Sequence, residues 1–70
     1  MINFDIQFGK DRYHQQDEMI TWCKKNIGRG GWNVPLELDQ NFWSVDSMFG
    51  NTFFKFKEQK HATLFALKWL

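Results

Sequence analysis

The chain opens with a regular alternation of apolar and polar side chains. The apolar positions are Ile2, Phe4, Ile6 and Phe8, and the polar positions between them are Asn3, Asp5 and Gln7. A period of two is typical of a strand that buries one face and exposes the other. The sequence therefore predicts a first strand that begins at Ile2 and ends at Phe8, just before Gly9.

After Gly9 the apolar spacing changes to three or four residues, which is typical of an amphipathic helix. Asp11 is placed to accept amide protons of the first turn, and Gly28 is placed to end the helix in a left-handed cap. Lys24 and Lys25 suit the negative end of the helix dipole. The predicted inward stripe consists of Tyr13, Gln16, Met19, Ile20, Cys23 and Ile27. We therefore predict a helix over residues 11–27.

The next segment, residues 28–41, contains many residues that interrupt regular structure. They are Gly28, Gly30, Gly31, Asn33 and Pro35. This punctuation predicts a long loop, and long loops in small domains are often functional. The alternative is a short extended piece over residues 32–38 that folds back beside the first strand.

The rest of the chain predicts two strands and a second helix. Residues 42–49 are aromatic and partly β-branched, which predicts a second strand, and Gly50-Asn51 is a turn signal. Residues 52–57 predict a third strand. Its two faces carry Thr52, Phe54 and Phe56 on one side, and Phe53, Lys55 and Lys57 on the other. Residues 58–70 predict a helix whose inward stripe is Ala62, Phe65, Ala66 and Trp69.

The predicted order is strand, helix, strand, strand, helix in a single small α+β domain, residues 1–70. This is the ferredoxin-like pattern lacking its fourth strand, with both helices on one face of a three-stranded sheet. A right-handed crossover predicts the first strand parallel to the third, with the second strand antiparallel and the spatial order 1-3-2. The first strand then has an open edge, which favours a homodimer through Ile2 to Phe8 or the capture of a partner's strand.

Composition narrows the class of protein. Hydrophobic residues are 43% and charged residues 24% of the 70, which is typical of a folded domain rather than a disordered chain. The single cysteine, Cys23, excludes an internal disulfide and favours a reducing compartment, so we expect a cytoplasmic protein. No signal peptide or membrane span is evident, and a net charge of +1 excludes a strongly basic nucleic-acid arm. Three acidic side chains give residues 30–52 a charge of −3, and four lysines against one glutamate give residues 53–70 a charge of +3.

The segment Gly50-Asn51-Thr52-Phe53-Phe54-Lys55-Phe56, with Ala62 six residues later, resembles the third strand and second helix of the RNA-recognition-motif family. The resemblance covers residues 50–67. It implies that Phe54 and Phe56 lie in the core and that Phe53 lies on the open sheet face, where a base can stack. Asn51 stands where that family has its other stacking aromatic, so the resemblance indicates shared fold geometry more than shared function.

The chain also resembles the small accessory proteins of bacteriophages. The resemblance lies in its compact, tryptophan-rich sequence and in the closing run from Lys60 to Trp69. It implies a non-enzymatic protein that binds host machinery.

Side chains able to carry out chemistry are few. The run Gly28-Arg29-Gly30-Gly31 follows a predicted helix and lacks the Lys-Ser/Thr of a phosphate loop, so a helix cap and a flexible loop fit it better. Cys23 lies on the predicted inward stripe, nine residues from His14, so the two cannot pair within the helix. His14 with Asp17 or Glu18 supplies only two metal ligands. We therefore predict no enzyme activity, no cofactor and no metal.

These observations favour a small non-catalytic interaction module that binds another macromolecule, a protein rather than a nucleic acid or a membrane. The candidate binding residues form two groups. Phe53, Lys55 and Lys57 share the predicted open sheet face, and Arg29 and Trp32 lie on the predicted loop. Because the same aromatic and cationic groups also bind bases and phosphates, single-stranded RNA or DNA binding is the alternative function.

Overall fold

The structure is a computed structural model that describes residues 4–36 and 40–70. Four strands form one sheet: β1 (Phe4–Phe8), β2 (Gly30–Trp32), β3 (Trp43–Met48) and β4 (Asn51–Phe56). A 3₁₀ segment (Lys10–Gln15) leads into helix α1 (Gln16–Asn26), and helix α2 (Gln59–Trp69) follows β4. The chain is therefore α+β, as its periodicities predict. The predicted beginning of the first strand and the end of the extended piece over residues 32–38 lie outside the described residues.

The strand order across the sheet is β1-β4-β3-β2. The three strands that the sequence predicts are therefore neighbours in the predicted order. The sheet is mixed, because β1 and β3 are antiparallel to β4 while β2 is parallel to β3. The prediction of three strands was wrong. Gly30–Trp32, which the sequence predicts as loop, form a fourth strand beside β3 at the edge of the sheet.

The predicted parallel pairing of the first and third strands was wrong. Phe4 pairs with Phe56 and Phe8 with Thr52, so β1 and β4 are antiparallel. The reason is the direction in which the chain travels. The crossover through α1 returns the chain so that β3 runs in the direction of β1, and the tight hairpin after β3 makes β4 antiparallel to both. Trp32, the first residue of the predicted extended piece, pairs with Val45 of β3. No described residue pairs with the outer edge of β1.

The predicted first helix is two segments. Residues 10–15 form the 3₁₀ segment, and α1 begins at Gln16 with Gln15 as its N-cap residue, so Asp11 is not the cap of α1. The Arg12 guanidinium donates to the Trp69 carbonyl oxygen at 3.0 Å, which ties this segment to the end of α2. Gly28 follows α1 with φ +130°, a conformation that glycine adopts without strain, so the predicted helix end is confirmed.

One apolar cluster lies between the helices and one face of the sheet. Its buried members are Phe8, Met19, Cys23, Trp43, Val45, Phe54, Phe56 and Phe65. The Phe65 ring of α2 is at its centre, with its centroid 4.7 Å from that of Phe54 and 5.1 Å from that of Phe56. Trp22 of α1 contacts the same ring. The predicted inward faces of β4 and α2 are therefore confirmed, and Phe53 and Lys55 lie on the opposite face of β4.

No helix in the described ranges, 4–36 and 40–70, is long and apolar enough to cross a membrane.

Candidate interaction surfaces

The face of the sheet opposite the helices, which we call the outer face, follows from strand alternation. Phe54 and Phe56 point to the helices, so Phe53 and Lys55 between them point away. Strand register then places their cross-strand neighbours on the same side. The outer-face residues are Asp5, Gln7, Ser44, Asp46, Met48, Asn51, Phe53 and Lys55.

Phe53 and Lys55 occupy the middle of the outer face because β4 is a central strand. Phe53 lies between Gln7 and Asp46, and Lys55 lies between Asp5 and Ser44. The Asp46 carboxylate accepts a hydrogen bond from the Ser47 amide at 2.8 Å. Two carboxylates and one lysine give the outer face a charge of −1. The surface is therefore an aromatic ring set among charges of both signs.

A small pocket lies beside Lys55, where the chain after β2 folds over the outer face. Its walls are Asn33, Val34, Pro35 and Leu36 from this segment, and its base is Ser44, Asp46 and Lys55. Leu36 is buried, and the Asn41 side chain donates to the Pro35 carbonyl oxygen at 2.9 Å, which holds the segment in place. The pocket volume of about 230 Å³ is below the usual range for small-molecule sites. It has room for one side chain of a partner.

Lys57 is separated from Phe53 and Lys55. It follows the end of β4, and its Nζ lies 6.0 Å from the centroid of the Phe42 ring. The same Phe42 ring makes an edge contact with His61 of α2 at a centroid distance of 5.8 Å. The Lys57 amine is therefore beside the helices rather than among the outer-face charges.

Arg29 and Trp32 lie at the opposite edge of the sheet from β1. Trp32 is 48% exposed and pairs with Val45, whose side chain is in the core, so the indole leaves the sheet on the helical side. Arg29 is exposed, and its carbonyl oxygen accepts a hydrogen bond from the Phe42 amide at 2.8 Å. The five predicted binding residues thus form separate patches, and only Phe53 and Lys55 are neighbours on one strand.

The tip of the hairpin between β3 and β4 is an exposed feature that the sequence pattern did not predict. Met48 pairs with Asn51, so the turn is Phe49-Gly50 and not the predicted Gly50-Asn51. Phe49 and Gly50 have φ values of +52° and +81°, which define a two-residue turn with two left-handed positions. A two-residue turn that ends before Asn51 requires residues 49 and 50 to be in the left-handed region. Gly50 is the residue in the sequence that meets this requirement. Phe49, predicted as the end of a strand, is instead 93% exposed at the tip.

The titratable groups considered for catalysis do not form a site in the described part of the chain. Cys23 is fully buried in the core, and burial raises the pKa of its thiol to about 12. A thiol with this pKa stays protonated at neutral pH and is a poor nucleophile. His61 packs against Phe42, and no group of three or more metal-binding side chains occurs among the described residues.

No protein-family model, no curated protein and no solved structure matches this chain.

Proposed function

We propose that this chain is a non-catalytic interaction module that binds another protein through the outer face of its sheet. The observation that carries the proposal is the central position of Phe53 and Lys55 on a sheet face that the helices leave open. Aromatic rings on a rigid, partly exposed surface are common anchors of protein interfaces, and neighbouring charges add specificity. The sheet supplies the rigidity, because β4 is paired on both sides.

Charge supports a protein partner over a nucleic acid. Asp5 and Asp46 flank Lys55 on the outer face, and strands of RNA or DNA carry a negative charge on every phosphate. Arg12 follows β1 closely in the sequence, but its guanidinium lies on the helical side and not on the outer face. It donates to the Trp69 carbonyl oxygen and stacks over the Phe8 ring at 5.3 Å. A partner that alternates basic and acidic side chains around an apolar contact fits this face better.

The pocket beside Lys55 adds selectivity to the proposed interface. Apolar walls from Val34 and Leu36 and a polar base from Ser44, Asp46 and Lys55 suit one amphipathic side chain of the partner. The resemblance to bacteriophage accessory proteins supports a host protein in the cytoplasm as the partner class. The placement of β4 between β1 and β3, which share a direction, supports a ferredoxin-like relationship as part of this proposal.

A photo-crosslinking residue in place of Phe53 tests the proposal. We expect it to form a specific adduct with one protein in an extract of the native host. The same residue in place of Thr63, which is exposed on α2, is the matched control and should form none. Lys55→Glu in the Phe53 crosslinking variant should reduce the adduct at least about tenfold, the size of a typical hot-spot effect.

Two results would contradict the proposal. One is equal crosslinking from positions 53 and 63. The other is crosslinking to RNA or DNA. In that case the affinity of the unmodified chain for single strands should fall with salt at a slope near −0.7 per phosphate contact, which is the signature of single-strand binding. That second result would establish the alternative function instead.

Self-association through the open edge of β1 stays a separate prediction. β1 is an edge strand, and the only charged residue among its described positions is Asp5, which is weak protection against pairing with a second copy. Edge pairing predicts a dimer at micromolar concentration that is weakened by proline at a position of β1 whose amide points away from β4, and sedimentation equilibrium measures this. A dimer that proline at the outward-pointing position leaves unchanged would exclude edge pairing.

A further inference from the structure

The hairpin tip combines two unfavourable features that the fold itself does not need. Phe49 is 93% exposed, so its ring contributes little to the core. It also has φ +52°, and a bulky side chain in the left-handed region is strained. Asparagine or glycine at this turn position avoids both costs. Backbone strain at an exposed aromatic ring is typical of a residue that contacts a partner surface.

The tip carries an apolar neighbour and a cation. Met48, next to Phe49, is 51% exposed. The stem of Lys10 crosses Gly50 closely, since a Cβ built on Gly50 would lie 2.5 Å from the Lys10 Cε atom. We call Phe49, Met48 and Lys10 the knob.

A groove between α1 and α2 has complementary features. Its volume is about 410 Å³, and the indoles of Trp22 and Trp69 line it. Asp17 and Glu18 of the first turn of α1 form an acidic rim, and Lys68 lies opposite with its Nζ 5.3 Å from the Trp69 ring centroid. The structure gives neither carboxylate an ion pair with a described cation. An aromatic ring with an adjacent cation complements the indoles and the acidic rim of this groove.

The knob and the groove lie toward the same end of the molecule. Lys10 of the 3₁₀ segment contacts the tip at Gly50, and Arg12 of the same segment donates to the carbonyl oxygen of Trp69 in the groove. A contact that joins two different patches closes into a dimer only when both patches can be exchanged across a two-fold axis. Proximity of the two patches at one end allows this reciprocal exchange.

We propose that two copies of this chain form a dimer by inserting Phe49 of each copy into the α1–α2 groove of the other, with Lys10 facing Asp17 and Glu18. Each exchanged ring removes about 150–250 Å² of its own surface from water, and Met48 and the groove add more. The total is at the low end of specific interfaces, where weak and transient contacts lie, so about 1–100 μM chain is the concentration range to measure. The proposal does not depend on the outer-face function.

The first test is sedimentation equilibrium of the full chain over this concentration range. Phe49→Asn should weaken the dimer at least about tenfold, because a buried aromatic anchor is lost from both copies. The same substitution should raise the midpoint of thermal unfolding at concentrations where the chain is monomeric, because Asn-Gly suits the turn. Leu67→Asn is the matched control, since Leu67 is 80% exposed on α2 but does not line the groove, and it should leave the dimer unchanged.

The second test is a charge exchange across the proposed contact. Lys10→Glu and Glu18→Lys should each weaken the dimer, and the double variant should recover most of the lost affinity because opposite charges again face each other. The wild-type dimer should also weaken as salt rises. Recovery in the double variant is not expected from a general effect on folding.

Three outcomes would overturn the proposal. A monomer at every concentration would show that the knob does not bind a second copy. A dimer that Phe49→Asn leaves intact and that proline at an outward-pointing amide of β1 disrupts would assign self-association to the β1 edge instead. A dimer in which the double charge variant is no better than either single variant would exclude the Lys10–Glu18 contact.

Discussion

Replacing Phe54 with alanine should leave the chain largely unfolded, whereas replacing Phe53 should not. Phe54 is fully buried, and its ring lies 4.7 Å from Phe65, 6.2 Å from Phe8 and 6.4 Å from Trp43, centroid to centroid. Truncating a packed phenylalanine typically costs about 3–5 kcal/mol. A single core in a domain of this size rarely supplies more than about 3–5 kcal/mol in total. Urea denaturation followed by circular dichroism measures the difference.

Phe56 and Phe53 complete this test as a matched set on one strand. Phe56→Ala should behave like Phe54→Ala, because Phe56 is also fully buried and lies 5.1 Å from Phe65. Phe53→Ala lies on the outer face and should reduce the free energy of unfolding by no more than about 1 kcal/mol, the range of strand propensities. A folded Phe54→Ala variant beside an unfolded Phe53→Ala variant would show that the two faces of β4 are exchanged.

Replacing Gly30 with alanine should destabilise the chain by about 3 kcal/mol, at the upper end of overpacking effects. A Cβ at residue 30 would collide with the Trp43 backbone oxygen and lie 2.6 Å from the Trp43 indole atom Cδ1. The indole cannot move aside cheaply, because it is fully buried and its Nε1 donates to the Gly28 carbonyl oxygen at 2.9 Å. Chemical denaturation of the variant measures the loss.

The neighbouring glycine supplies the control. A Cβ on Gly31 would meet only Val34 Cγ1, at 3.8 Å, which is an ordinary van der Waals contact. Gly31→Ala should therefore change the free energy of unfolding by less than about 1 kcal/mol, and a small gain is consistent with a less flexible unfolded chain. Equal losses for Gly30→Ala and Gly31→Ala would mean that the close approach of Trp43 is not the cause.

Elements with a strong local period could be predicted from the sequence. The alternation that ends at Phe8 places Phe4, Ile6 and Phe8 against the helices, as the register with β4 shows. The inward stripe of α2 is also confirmed, with Phe65 buried and Ala62 and Trp69 packed against the core. These features depend on neighbours along the chain, so a single sequence contains the information.

β2 could not be predicted in the same way. Gly30, Gly31 and Trp32 show no alternation, and two glycines normally indicate a loop. They form a strand by pairing with β3, and this pairing requires glycine at residue 30 because the Trp43 indole occupies the space that a side chain would need. That requirement comes from a residue thirteen positions later in the sequence and is visible only after β3 is placed beside β2.

The positions of the candidate binding residues also divide into those that strand alternation predicts and those that tertiary structure decides. The sequence placed Phe53 and Lys55 on a face away from the core, because their separation from Phe54 and Phe56 is a matter of alternation. It grouped Lys57 with them, but β4 ends at Phe56 and the Lys57 amine turns to Phe42. The sequence pattern also placed Phe49 in a strand. A shift of one residue in the hairpin register decides whether Phe49 is a paired strand residue or an exposed turn residue.

By itself, the sequence of this protein determined its α+β class, the inward faces of β1, β4 and α2, and the outer position of Phe53 and Lys55. Tertiary structure decided the fourth strand, the direction of β1 relative to β4, and the assembly of the groove from Trp22 and Trp69. The physical reason is that side-chain period is a local property of each segment. Strand direction, hairpin register and the meeting of two helices depend instead on contacts between residues far apart in the chain, where close packing selects one arrangement.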